Sequence, residues 1–146
     1  MNDYSPLMER LQYQFQDVEL LERSLTHRSF HAINNERLEY LGDAVLGLVI
    51  AEVLFQRQPG ACEGKLSRIR SALVNGEVLA EFSRQFHLSE HLRLGVGELK
   101  SGGKERQSIL ADAFEAVIGA IYVDGGLEVI RECIIKWYHD KFENLS

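Results

Sequence analysis

Residues 34–50, NNERLEYLGDAVLGLVI, constrain this chain more than any other stretch. Glu36, Glu39 and Asp43 stand at i, i+3 and i+7, so on a helix turning about 100° per residue they share one narrow stripe. Beyond Asp43 the segment from Ala44 to Ala51 is almost wholly apolar. Negative charge therefore collects where a helix enters a core. Carboxylates crowded there repel one another and lose hydration unless a cation compensates. The helix is expected to start at Asn34 or Asn35 and to run to about Arg57, where Gln58-Pro59-Gly60 stops it. Gly42 and Gly47 lie inside it. Each costs about 1 kcal/mol against alanine, which predicts that another backbone or a ligand comes close.

The rest of the chain carries helical spacing nearly throughout, which gives an all-α fold class. Ser5-Pro6 reads as an N-cap and first helical residue opening a helix to about Phe15. Asp17 caps a second helix, with Val18, Leu21 and Leu25 on one face, ending near Thr26-His27. Residues 28–34 form a polar connection. Glu63 to Val74 is a helix with Leu66, Ile69, Leu73 and Val74 inward, broken by Asn75-Gly76, and Gly76 to His87 is the next. After a short turn at Leu88 to Leu92, Gly95 to Gly103 reads as the one flexible loop, holding four glycines and no period. Glu105 to Tyr122 is a second central helix, stopped by Asp124-Gly125-Gly126. Leu127 to Phe142 closes the domain, amphipathic through Ile130, Ile134, Trp137 and Tyr138. No repeat, linker or strand pattern interrupts this series.

Within Ser108 to Tyr122 only Asp112 and Glu115 are charged. They stand at i, i+3 on a stripe continued by Gly119 and Tyr122, opposite Ile109, Leu110, Phe114, Val117, Ile118 and Ile121. Taken alone, either acidic stripe reads as a solvated helix face. Two such stripes in one small domain open another reading. Both helices are mainly apolar, so both belong at the centre and side by side. If Glu39 and Asp43 face Asp112 and Glu115, four carboxylates converge. An all-oxygen site without His or Cys suits Mg²⁺ or Mn²⁺ rather than zinc. Neither helix has the Glu-x-x-His pattern of a di-iron bundle.

Composition sets the outer bounds. A length of 146 residues with 45% hydrophobic content fits one compact domain with a real core. A net charge of −6 opposes a surface that holds nucleic acid by charge alone. Cys62 and Cys133 lack zinc-site spacing and read as free thiols in a reducing compartment. No apolar run approaches the ~20 residues of a membrane span, and MNDYSPLMER has no apolar signal core, so a cytoplasmic protein without membrane contact is expected. The five histidines, His27, His31, His87, His91 and His139, are scattered and form no nucleophile motif. Gly102-Gly103 lacks the Lys-Ser/Thr ending of a phosphate-binding P-loop. Lys65, Arg68 and Arg70 on one helix, and Lys100, Lys104 and Arg106 around the loop, are the candidate basic strips.

At NERLEYLGDAVL the chain resembles the nuclease domain of bacterial ribonuclease III. Leu25-Thr-His-Arg-Ser29 resembles that family's LTHRS segment, and Glu63-Gly-Lys-Leu-Ser-Arg-Ile-Arg70 its EGxLSxxR helix. Gly95 to Gly103, Ser108-Ile-Leu-Ala-Asp-Ala-Phe-Glu115 and Tyr122-Val-Asp-Gly-Gly126 resemble its later blocks, in family order over nearly the whole chain. The resemblance implies one nuclease domain over 1–146, in an all-helical homodimer that cuts both strands of double-stranded RNA. The ends left would be 5′-phosphate and 3′-hydroxyl with short 3′ overhangs, as in rRNA and mRNA precursor processing. It implies metal binding by Glu39, Asp43, Asp112 and Glu115, with Asp43 and Glu115 catalytic and Glu36 and Glu63 as supporting cleft acids. Mg²⁺, with Mn²⁺ as substitute, would activate water and stabilise the departing 3′-oxygen, with no covalent nucleophile and no small-molecule cofactor.

Tyr40 stands where the family usually has Phe, as a ring inserted into the partner subunit; its hydroxyl then needs a hydrogen-bond partner. The double-stranded-RNA-binding domain that normally follows in the family is not among these 146 residues. Expected RNA binding is therefore weak, strongly salt-dependent and directed at A-form backbone. Two other readings are a non-catalytic scaffold on the same fold, which has no need of four carboxylates, and a helical nucleoside triphosphate pyrophosphohydrolase. Pyrophosphohydrolases place their acidic motifs closer together than Asp43 and Asp112.

Overall fold

The two apolar segments carrying the acids become the two longest helices, and every other element wraps them. A computed structural model describes residues 3–145. In chain order the helices are α1 (Ser5–Leu11), α2 (Val18–Ser24), α3 (Glu36–Arg57), α4 (Glu63–Val74), α5 (Gly76–Gln85), α6 (Val96–Lys100), α7 (Gln107–Gly125), α8 (Leu127–Trp137) and α9 (His139–Glu143), with 3-10 turns at Leu88–Glu90 and Gly103–Glu105. Among the described residues the only extended pairing is an isolated parallel bridge between Thr26 and Arg93. No described helix is long and apolar enough to cross a membrane.

α7 is the axis of the molecule. From Ile109 to Ile121 every residue except Asp112 is buried, including Glu115. The expectation of one apolar face thus understates it: α2, α3, α5 and α8 enclose α7 on all sides. Rings from three helices lock this packing. Phe82 of α5 lies 5.1 Å from Phe114 of α7 and 4.6 Å from Tyr138 at the end of α8. Ser83 of α5 donates its hydroxyl to the Leu110 carbonyl, which satisfies a buried polar group inside the apolar layer.

Local signals set several boundaries as expected. Asp17 caps α2 by accepting the Glu19 N–H, and Asn75 caps α5 by accepting the Val78 N–H. Others moved for tertiary reasons. α1 ends at Leu11 rather than Phe15, because Gln12 turns left-handed at φ 60°. α7 runs past Asp124 and stops at Gly126, whose φ of 90° favours glycine. Asp124 is no breaker: its carboxylate accepts the Gln16 and Asp17 N–H groups and the Tyr13 hydroxyl, tying α7 to the start of α2. The single closing helix expected to Phe142 divides at Tyr138, which is fully buried and donates its hydroxyl to the Leu73 carbonyl at 2.9 Å.

The segment 95–103, expected to be a flexible loop, contains α6 and leads into a 3-10 turn. It is fastened from outside: the Gly95 N–H donates to Ser29 Oγ at 2.8 Å, and the Arg106 guanidinium donates to Glu98. A Cβ on Gly95 would overlap the Ser29 backbone, so glycine there permits the close approach of the two segments.

Candidate metal centre

Gly42 and Gly119 mark where α3 and α7 cross. A Cβ on Gly42 would overlap the Glu115 carbonyl, and one on Gly119 would overlap the Leu38 carbonyl. Bare backbone meets bare backbone, as the glycine reading required for Gly42. Gly47 has nothing within 4 Å of its Cβ position, so the same expectation is not met there within this chain. The crossing sets the acids. Glu39 and Asp43 bracket Gly42 on α3, while Glu115 and Asp112 precede Gly119 by one and two turns on α7.

Glu115 sits deepest, only 9% exposed. Burial, then a hydrogen bond to Asp43, then the charges of Asp43, Glu39 and Asp112 push its carboxyl up to about 9. Without a cation it is a neutral acid at pH 7 that donates to Asp43. Glu39 is half-buried; desolvation raises its carboxyl, and the charges of Asp112, Glu36 and Asp43 add to the effect. Burial also raises Asp112, against the pull of His27 and Arg28. These electrostatic couplings link Glu115 to Asp43, Glu39 and Asp112, and Glu39 to Glu36. Glu63 lies elsewhere, as the first residue of α4, lining a groove with Phe55 and Arg70. Among the described residues no three carboxylate, imidazole or thiol groups already converge in ligating geometry.

Beside the crossing opens a polar cleft of about 320 Å³, lined by His27, Arg28, Glu36, Glu39, Arg106 and Asp112 among others. His27 is held by its near neighbour Ser29. The Ser29 N–H, at 3.1 Å, and the Ser29 hydroxyl, at 2.8 Å, both reach its Nδ1. Nδ1 accepts the Ser29 N–H, which sets the orientation of the ring. His27 and Arg28 both stand in the Leu25-Thr-His-Arg-Ser29 block, which by itself assigns neither a role. Nothing in their spacing marks them, because the cleft joins a connection, a helix start and a loop distant in sequence. Tyr40, on the outer side of α3, is 81% exposed beside an apolar groove of about 550 Å³ formed with Leu20, Leu38, Leu41 and Val123.

The donor set is uniform: carboxylate oxygens, mutually repelling, one of them held protonated by its surroundings. Such a set fits a hard divalent cation, whose charge would relieve the repulsion and favour the ionised form of Glu115.

Comparison with known proteins agrees with the geometry. Residues 17–142 match the family described as Ribonuclease-III-like. A curated relative, Ribonuclease 3 of Coxiella burnetii (strain Dugway 5J108-111), is 58% identical over 146 residues, covering 100% of this chain and 63% of its own length. The chain thus spans less than two thirds of that relative. A solved nuclease domain of ribonuclease III from Campylobacter jejuni, described for flexibility in the region involved in dimer formation, superposes with a TM-score of 0.93 at 42% identity, covering 97% of this chain and 99% of its own. Dicer from Pichia stipitis superposes with a TM-score of 0.69 at 35% identity over 88% of this chain and 57% of its own. With its signature helix crossing a second acidic helix at Gly42 and Gly119, this chain belongs to the ribonuclease-III-like family.

Proposed function

We infer that this chain is the nuclease domain of a Mg²⁺-dependent endoribonuclease that cuts double-stranded RNA to 5′-phosphate and 3′-hydroxyl ends. One observation carries the reading: Glu115, buried at a helix crossing, is pressed against Asp43 with Glu39 and Asp112 alongside. Burying the Glu115 carboxyl beside three further acids is costly, and a bound cation would offset that cost. Glu39, Asp43, Asp112 and Glu115 would hold the metal, with Mn²⁺ able to substitute. Divalent ions bound there would supply an activated water and neutralise charge on the departing 3′-oxygen. The residues themselves fix the geometry. The close approach of the Gly42 backbone to that of Glu115 sets the backbone positions from which Asp43 and Glu115 extend. Glu36 extends the acidic margin toward the cleft and acts in support. Glu63 belongs to a different groove of this subunit, and any part it plays comes through assembly.

The same reading makes the protein a homodimer. Tyr40 is an exposed ring next to an apolar groove in which Val123 is also exposed. Two copies related by a two-fold axis would each bury the other's ring. Cys62 is exposed and Cys133 buried, both as free thiols, in keeping with a reducing cytoplasm. Precursors of ribosomal and messenger RNA are the substrates this reading favours.

The test is cleavage of a blunt double-stranded RNA in Mg²⁺, with Glu115→Gln in parallel. Wild-type protein should cut, and Glu115→Gln should lose about a hundredfold or more in rate while keeping its helical signal. Full activity in Glu115→Gln would remove this residue from the chemistry.

A further inference from the structure

The cleft beside the acidic crossing poses a charge problem. Glu36, Glu39, Glu98 and Asp112 line it, against two guanidiniums, Arg28 and Arg106. A phosphodiester is an anion, and carboxylates alone would repel it. Both arginines are already engaged: Arg28 stands 3.8 Å from Glu36, and Arg106 stands 2.5 Å from Glu98. The first pair is loose and largely exposed; the second is closer, with Glu98 only 20% exposed.

Both arginines stand on fixed backbone. Arg28 lies between His27 and Ser29, whose side chains bond each other, while the His27 N–H donates to the Arg93 carbonyl at 3.0 Å and Ser29 Oγ accepts the Gly95 N–H. Arg106 immediately precedes α7 in extended conformation. The Ser29–Gly95 contact joins the segment carrying Arg28 to the one leading to Arg106. Their mutual placement is thus set before any ligand arrives, which lowers the entropy lost on binding.

Resting on the nuclease reading above, we propose that Arg28 and Arg106 form a clamp for backbone phosphates of the RNA, flanking the linkage to be cut, and that Glu36 and Glu98 hold the two guanidiniums until phosphate replaces them. Guanidinium suits the task because its planar fork offers paired donors to phosphate as it does to carboxylate. The exchange keeps each arginine compensated in both states. It also explains how an acidic protein admits RNA at all: local cations at the cleft substitute for a basic surface. The contacts go to phosphate, so they add affinity without sequence preference.

The experiment measures binding of a blunt double-stranded RNA at several salt concentrations in Mg²⁺, in a Glu115→Gln background that prevents cutting. Adding Arg28→Gln or Arg106→Gln should weaken binding about tenfold at low salt and lower the salt slope by about one per arginine removed. In otherwise wild-type protein each should raise KM more than it lowers kcat. Adding Glu98→Gln instead should tighten binding about two- to fivefold, the range an exposed ion pair is worth, because Arg106 is released. A merely structural strap gives the opposite sign, since breaking it from either end would weaken binding alike. If wild type cuts the RNA but both arginine variants keep its slope and KM, or if Glu98→Gln weakens binding as Arg106→Gln does, the clamp is overturned and the nuclease stands. If wild type neither binds nor cuts double-stranded RNA, both fall together.

Discussion

Glu115→Gln should flatten the pH dependence of stability in metal-free protein. In the native state burial and its carboxylate neighbours hold the Glu115 proton up to about pH 9. In the unfolded chain an ordinary glutamate releases it near pH 4.3. Between those values the native state binds one proton more than the unfolded state, so stability falls as pH rises, by about 1.4 kcal/mol per unit from this one group. From pH 5.5 to 7.5 the loss comes to about 2.7 kcal/mol. A domain of this length unfolds with an entropy of about 0.3 kcal/mol/K, so the melting temperature should drop by about 9 °C. Glutamine has nearly the same shape, donates to Asp43 and carries no titrating proton. The assay is thermal melting with a chelator present, at fixed protein concentration because assembly also stabilises. The quantity of interest is the pH 5.5 to 7.5 shift of wild type minus that of Glu115→Gln. Glu39 and Asp112 are raised in the same direction and contribute to both proteins, so they cancel in the difference. Equal shifts in the two proteins would refute the reasoning, since Glu115 would then titrate as it does in the unfolded chain.

Mg²⁺ added at pH 7.5 should raise the melting temperature of wild type and do so far less for Glu115→Gln, because the cation relieves repulsion only where the carboxylates remain. Gly42→Ala should cost about 3 kcal/mol or more in urea unfolding, since its Cβ meets the Glu115 carbonyl rather than a movable side chain. Asp124→Ala removes the acceptor for two backbone N–H groups and the Tyr13 hydroxyl, and should cost about 2–3 kcal/mol by the same measurement. Tyr40→Asp should sediment as a monomer, and an unchanged dimer would place the interface elsewhere.

Periodicity made the helices legible. Apolar spacing marked the two central segments, and Asp17 and Asn75 announced helix starts through short-range capping that depends only on neighbours in sequence. The same spacing placed Glu39 with Asp43, and Asp112 with Glu115, because a helix fixes which residues share a stripe. Gly42 stood out for the cost of a glycine in a helix interior. What these signals share is locality: each is settled within a turn or two of chain.

Only the tertiary structure decided the rest. Glu115 and Asp112 are three residues apart on one helix, yet Glu115 is buried against Asp43 while Asp112 opens on the cleft; the crossing at Gly42 and Gly119 makes that difference. Segment 95–103 looked loose because its fastenings, Ser29 to Gly95 and Glu98 to Arg106, include a contact reaching back across 66 residues. Tyr138 divides the closing helix because its hydroxyl finds the Leu73 carbonyl, 65 residues away. Arg28 and His27 carried no periodic mark at all. Spacing along a chain specifies which side chains travel together, but which of them lose water, and beside which charges, depends on the packing of elements that sequence alone leaves free to arrange.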